Sequence, residues 1–401
     1  MLISLIVTPY RNYPMKINVT YRTTSIYCST KVKQSLLAVL LPLVFMMCMA
    51  WLSIGISHAS DKNTSVTHAV KWHPGHYYTL MGKSKDNPKH MTQIYQELRK
   101  TPLLRGIQIR YDWAELEPEE NVYNFSSIEN HLIQLAAQKK RLIILLQLKS
   151  FDPSMPNVPE YLKEEKYEGG VFPFSLFGKK TIGGYNLKLW NPLVHDRLVA
   201  LISALGKRFN THPYFEGIGL TETAFGQPLV EITNNQLDNY FTSLLSVNKQ
   251  LRKYFPNTMT YQFTNFPRQK LNTFIGKLKE MGTGLGGPDI FMEDPGLTFK
   301  QANSAKGVYH YYPELSGIVP LTPAVMQTNY VNTRQDKKGK TPSVTELFTF
   351  ARDNLKANYI FWTRAPNYFP QVLQMLNELG PVGDAGGLDS TCPKAYPACT
   401  N

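Results

Sequence analysis

Cysteine is scarce in this chain, with four in 401 residues, and only Cys392 and Cys399 fall after residue 60. That excludes a disulfide-built scaffold. The spacing of the pair and the lack of a nearby His also exclude a cysteine-ligated metal or redox centre. Acidic residues are short as well: 30 Asp and Glu against 43 Lys and Arg give a formal net charge of +13. Part of that excess sits near the start, in Arg11, Lys16, Arg22, Lys31 and Lys33. The rest is scattered through Lys139-Lys140-Arg141, Lys179-Lys180 and Lys337-Lys338. No basic helix or aromatic-interleaved strip stands out, so no nucleic-acid partner is expected. The charge reads as a solvated surface that favours anionic glycans or an anionic envelope. Gly-x-Ser-x-Gly is absent, which excludes an esterase elbow. Gly286-Gly287-Pro288-Asp289 is too short and badly placed for a phosphate loop.

One long apolar run is present, LLAVLLPLVFMMCMAWLSIGI at 36–56, with Lys31 and Lys33 before it and Ser57-His58-Ala59 after it. This pattern predicts an export signal cleaved near Ala59, so residues 1–59 form an N-terminal extension and signal. Met15 is an alternative start, and Phe45-Met46-Met47 before Cys48 do not make a lipobox. Left uncleaved, a run of this length would anchor the chain in a membrane. Either way the remainder is expected outside the cytoplasm, periplasmic or secreted. In that oxidising setting Cys392 and Cys399 are expected to form one local disulfide pinning the tail, residues 381–401.

Residues 60–70 read as a polar linker. From Lys71 to about Gly380 strand-like apolar runs alternate with helix-periodic ones, the mark of a parallel α/β sheet. Strands are expected at Tyr77–Met81, Gly106–Tyr111, Leu142–Leu148, Gly217–Thr221, Thr258–Phe263, Leu285–Met292, Ile318–Gln327 and Tyr359–Trp362. Helices are expected between them, among them Leu193–Phe209 and Gln236–Tyr254. Phe151 to Pro192 reads as a long functional loop rich in Pro, Gly and aromatics. The count predicts a single-domain (β/α)8 TIM barrel over 71–380, whose chemistry would gather at the C-terminal strand ends.

Those ends carry polar side chains: Arg110, Asp112 and Trp113, then Gln147 and Lys149, Glu222, Gln262 with Thr264 and Asn265, Glu293 and Asp294, Gln327 and Asn329, and Trp362 with Arg364. The segment LRGIQIRYDWAELEPEENVYNF, Leu104 to Phe125, runs a strand into an aromatic and charged cluster. It resembles the second strand of the clan A glycoside hydrolases. The resemblance covers about residues 70–380, fair at 215–225 and 357–364 and poor at strand seven. It implies hydrolysis of a polysaccharide or glycoconjugate, with no metal or organic cofactor.

That chemistry uses two carboxyl groups flanking the scissile bond. By the resemblance, Glu222 in FEGIGLTETAFG is the acid/base at the end of strand four. Thr221 precedes it where the family carries Asn. Strand seven, IVPLTPAVMQTNY, holds no carboxylate, and Gln327 stands near the position of the family's nucleophile. Three arrangements answer the gap: Glu293 or Asp294 serves as partner; Asp112 activates water across a wider spacing of roughly 6.5–9.5 Å; or the barrel binds glycans without cleaving them, in exopolysaccharide assembly or envelope function. Without a catalytic role, Glu293 and Asp294 are helix-capping carboxylates before Pro295-Gly296. Arg110, Asp112, Trp113, Gln147, Trp190, Asn265, Gln327 and Trp362 are the expected sugar-binding residues, the three Trp by ring stacking. Arg110 would orient a carboxylate, with an ion pair to Asp112 or Glu115 as the structural alternative. His73 and His76 are three residues apart, but no third metal ligand is identifiable.

Overall fold

Eight short, almost wholly buried runs build the core: β1 Gly75–Leu80, β2 Leu104–Asp112, β3 Arg141–Gln147, β4 Phe215–Leu220, β5 Met259–Phe263, β6 Gly284–Gly287, β7 Leu321–Val325 and β8 Tyr359–Thr363. Strands buried on both faces suit an all-parallel sheet covered by helices. These pair in chain order, every pair parallel, and β8 returns to β1 to close the barrel. The computed structural model describes residues 69–176, 179–380, 383 and 385–401. The expected signal at 36–56, Met15, Cys48, the Ala59 cleavage point and residues 60–68 of the expected linker lie outside them. Among the described residues no helix is long and apolar enough to cross a membrane.

The main outer helices are α1 Pro88–Lys100, α2 Ser126–Ala136, α3 Pro192–Phe209, α4 Asn234–Tyr254, α5 Arg268–Met281, α6 Val344–Thr349 and α7 Phe369–Glu378. Their starts follow from sequence. The Asn191 side chain accepts from the Leu193 and Val194 amides ahead of α3, with Pro192 at its first position. Thr233 and Gln236 form a capping box on α4. Between β6 and β7 the helical layer shrinks to Tyr311–Leu315.

Large rings fill the barrel interior: Tyr77, Tyr261, Phe263, Tyr359 and Phe361 share a buried cluster with Ile143, Leu145 and Met259. Glycines on the flanking strands make the room. A Cβ on Gly219 would run into the Tyr261 ring, and one on Gly286 would sit 2.6 Å from Phe263. The tail lies against the segment ahead of β1, where Cys399–Thr400 pairs in parallel with Val70–Lys71. Cys392 and Cys399 are bonded to each other as expected.

Two sequence expectations change here. The long loop after β3 is partly ordered into an antiparallel sheet in which Lys149–Ser150, Gly184–Leu187, Val171–Ser175 and Gln227–Pro228 lie side by side. Strand six is much shorter than expected. Pro288 has no N–H for the ladder, so β6 ends at Gly287 rather than Met292. The apolar residues Ile290 and Phe291 are buried in the loop instead.

Candidate active site

The side chains that meet at the C-terminal end of the barrel centre on Arg110. Gln108 and Arg110 point inward from β2. The Gln108 amide donates to Tyr261 Oη at 2.7 Å, and Arg110 Nη2 lies 3.7 Å from Met326 Sδ. Arg110 Nε is buried without a hydrogen-bond partner. Burial pulls the Arg110 pKa down, and Glu222, Tyr261, Asp289 and Asp112 act against that pull, Glu222 most strongly. The guanidinium thus feels the charge of groups from several strand ends. Neither Asp112 nor Glu115 forms the ion pair with it that was expected as the structural alternative. Asp112 is held by Gln147 Nε2 at 2.9 Å, and Glu115 pairs with Lys85 at 3.0 Å. Burial raises the Asp112 pKa, against the opposing pull of Lys85 and of the Gln147 hydrogen bond.

Glu222 stands two residues beyond β4, on a loop latched to its neighbours. The Thr221 carbonyl accepts from Gln262 Nε2, and Thr221 Oγ1 accepts from the Leu148 amide at 3.2 Å. Asn265 Oδ1 accepts from the Ala224 amide at 3.0 Å. Lys149 comes from the end of β3 and is buried between the rings of Phe151 and Phe174, 5.3 and 5.0 Å from their centroids. Its ammonium pairs with Glu222 Oε1 at 3.2 Å and also donates to the Ala224 carbonyl. A cation fixed on both the carboxylate and its loop sets where Glu222 points.

Asp289 is the group the sequence reading did not place in the site. It stands two residues beyond β6, the same offset that Glu222 has from β4. Its pKa is pushed up to about 7, first by burial and next by the Glu222 charge, while Arg110 and the Asn329 amide pull it down. Asn329 is fully buried after β7 and fastens this loop, its Oδ1 accepting from the Ile290 amide at 3.1 Å and the Met326 amide at 2.6 Å. The signal for Asp289 was Pro288, which ends the strand and moves the mouth position back from Glu293.

Several expected site residues face elsewhere. Trp113 is fully buried, its Nε1 donating to Glu117 Oε2 at 2.8 Å, so no ring face is open to a sugar. Trp362 is also fully buried, on the outer face of β8, donating to His76 Nδ1 at 3.0 Å. His76 is thereby an acceptor at Nδ1 and a donor at Nε2, toward the Gly386 carbonyl at 3.0 Å. His73 turns instead to Glu216, with Nδ1 2.9 Å from Oε2, so the two histidines do not converge. Gln262 faces outward to Asn248 of α4. Arg364 is paired with Glu97 of α1 at 2.6 and 2.8 Å. Glu293 accepts from Thr333 Oγ1, and Asp294 Oδ1 accepts from the Gly296 and Leu297 amides at 2.8 and 3.2 Å, the capping geometry. Asn265 Oδ1 is spent on backbone amides, while Gln327 is exposed at the end of β7. Trp190 lines a separate cavity beside the antiparallel sheet. A larger cavity of about 250 Å³ lies toward the opposite end of the barrel, lined by His73, Arg105, Lys140 and Arg141 among others. Cations there are already engaged: Lys140 donates to the Thr101, Pro102 and Leu104 carbonyls, and Arg141 pairs with Glu216.

The mouth thus brings together Arg110, Asp112, Gln147, Lys149, Glu222 and Asp289. Two carboxyl groups, one paired to a lysine and one pushed toward neutrality, can divide proton donation and attack between them. No known family model matches the chain, and no curated protein matches it by sequence. Solved structures do match. The catalytic domain of the β-amylase from Paenibacillus polymyxa superposes with a TM-score of 0.51 at 11% identity, covering 80% of this chain and 97% of that one. The β-galactosidase from Bacillus circulans sp. alkalophilus gives 0.53 at 11% identity, over 79% of this chain and 57% of that one. Endo-glycoceramidase II from Rhodococcus sp. gives 0.50 at 11% identity, over 77% and 80%. At this identity the likeness speaks for the fold. The chain folds as a (β/α)8 barrel like those of these glycosidases, as the strand count led us to expect.

Proposed function

We propose that this chain is an exported glycoside hydrolase whose catalytic pair is Glu222 and Asp289. The observation that carries the reading is the pair itself: two carboxyl groups at the same offset beyond β4 and β6 of a glycosidase-type barrel, each acting on Arg110 and Glu222 acting on Asp289. A proton donor must hold its proton near working pH. Asp289, pushed up to about 7, is that donor, delivering its proton to the glycosidic oxygen of the leaving sugar. Glu222, oriented by Lys149, attacks the anomeric carbon or draws a proton from the attacking water. This moves the proton-donor role from Glu222, where the family resemblance put it, to Asp289. Arg110 keeps the two carboxyl groups from repelling each other apart. Asp112 and Gln147 offer hydrogen bonds to sugar hydroxyls from the β2 and β3 side. Export is supported by the apolar run at 36–56 and the Cys392–Cys399 disulfide.

The test is release of reducing ends from a glycan panel by wild type, Glu222→Gln and Asp289→Asn. Each variant is expected to lose at least about 10²-fold in turnover, the usual contribution of a positioned acid or base. A second reading, a glycan-binding barrel in exopolysaccharide assembly or envelope function, is favoured by one feature: Met326 Sδ, not a carboxylate, meets Arg110 at the end of β7. Binding of a glycan without release of reducing ends would select it.

A further inference from the structure

We propose a second carbohydrate-binding site outside the barrel mouth, in the cavity beside the antiparallel sheet, where the Trp190 ring stacks on a sugar ring of a polysaccharide. The cavity holds about 170 Å³. That is below the roughly 300–1,000 Å³ of pockets that enclose drug-sized ligands and suits one ring of a longer chain. Its lining includes Trp190, Phe172, Lys188, Val230, Glu231 and Gln236, and none of the groups around Arg110.

The platform is set before any ligand arrives. Trp190 stacks on Phe172 at 5.3 Å and an interplanar angle of 29°, and Phe172 is fully buried. Phe172 therefore backs the indole, which is only half-buried. Its Nε1 donates to Glu168 Oε2 at 3.3 Å. The other oxygen of that carboxylate takes the Asn191 amide at 3.1 Å, and the Glu168 carbonyl takes Lys188 Nζ at 2.6 Å. The ring thus has few rotamers left to lose on binding. Around it stand the groups a sugar needs. Val230, 44% exposed, extends the apolar surface, and Glu231 is an exposed carboxylate with no hydrogen bond or ion pair among the described residues. An aromatic face takes the C–H side of a pyranose, and a carboxylate at the rim accepts from its hydroxyls. Of the Trp residues described, Trp72, Trp113 and Trp362 are buried, so Trp190 is the one with an accessible ring.

Phe172 also packs at a tilt on Phe225 at 4.8 Å, and Phe225 meets Tyr240 edge to face at 4.8 Å. None of Phe225, Tyr240 and Glu222 lines the cavity, and the Glu222 charge is felt at Tyr240. Such a site would hold a polymer on the enzyme while the mouth works on another segment, raising the effective concentration of substrate.

Native affinity electrophoresis of the full chain tests this, in gels cast with hydroxyethyl cellulose, glucomannan, xylan, starch or alginate. Wild type is expected to be retarded by at least one polymer. On that polymer Trp190→Ala should lose about tenfold in affinity, a change of ~1.4 kcal/mol. Val230→Asp, an exposed change that spares the core, should weaken retardation in the same direction. The double variant Glu222→Gln/Asp289→Asn should be retarded as wild type is. Retardation unchanged in both Trp190→Ala and Val230→Asp would overturn the second site, as would wild-type mobility unaltered in every gel. Retardation lost only in the mouth double variant would also overturn it while leaving the mouth reading in place.

Discussion

Asp289 holds a proton in the fold at pH values where the same side chain in an unfolded chain would have lost it, and that has a consequence for stability. Its folded pKa of about 7 lies above the ordinary carboxylate value of 3.8. The native state therefore binds more protons than the unfolded state between those values, and stability falls as pH rises through that window. Asp289→Asn removes the dependence. The melting temperature of the variant relative to wild type is expected to rise from pH 5 to pH 8, by an amount on the order of a few kcal/mol in stability. A pH-independent difference in a thermal-shift series would refute the raised pKa. Glu117 makes the opposite case in the segment that suggested a sugar site. It is fully buried and accepts from Trp113 Nε1, the Asn121 amide and Arg197. Glu117→Ala leaves Arg197 only its longer carboxylate contact, to Glu120 at 3.9 Å, and is expected to cost about 3 kcal/mol in chemical denaturation while leaving glycan affinity unchanged. The motif's residue types were legible in sequence, but their direction was not. Arg110 and Asp112 reach the mouth, while Trp113, one residue on, begins a helical turn and turns into the core.

At the scale of elements, strand phase decides which residues a barrel shows to its mouth. On β5 the interior positions are Met259, Tyr261 and Phe263, so Gln262 points outward. An apolar strand buried on both faces has no alternation to reveal this phase, which is why Gln262 and Trp362 were assigned to the wrong face. Strand existence and order were legible, because long apolar runs separated by capped helices leave few alternatives. The end of β6 was legible only through Pro288, and that residue moves the candidate carboxylate from Glu293 to Asp289. The interior rings also make a demand on the neighbouring strands. Gly219→Ala sets a methyl against the Tyr261 ring, and the ring is held by Gln108 at 2.7 Å. The substitution is expected to destabilise the barrel by about 1–3 kcal/mol, measured by denaturant unfolding, with no new cavity to relieve it.

For the whole molecule, the closed parallel barrel sets Glu222 and Asp289 on loops after β4 and β6, with Arg110 of β2 facing both. Lys149 and Asn329 hold the two loops from outside the pair. The barrel and its mouth could be read from the order of strands, but the pairing of these two carboxyl groups required the fold, since Glu222 and Asp289 stand 67 positions apart in the chain. The most direct measurement is the rate of reducing-end release from a polysaccharide panel as a function of pH, for wild type, Glu222→Gln and Asp289→Asn. If Asp289 is the proton donor, wild-type activity declines as pH rises through about 7, and both variants fall by at least about 10²-fold. Turnover that survives in both variants with an unshifted alkaline limb would contradict the account.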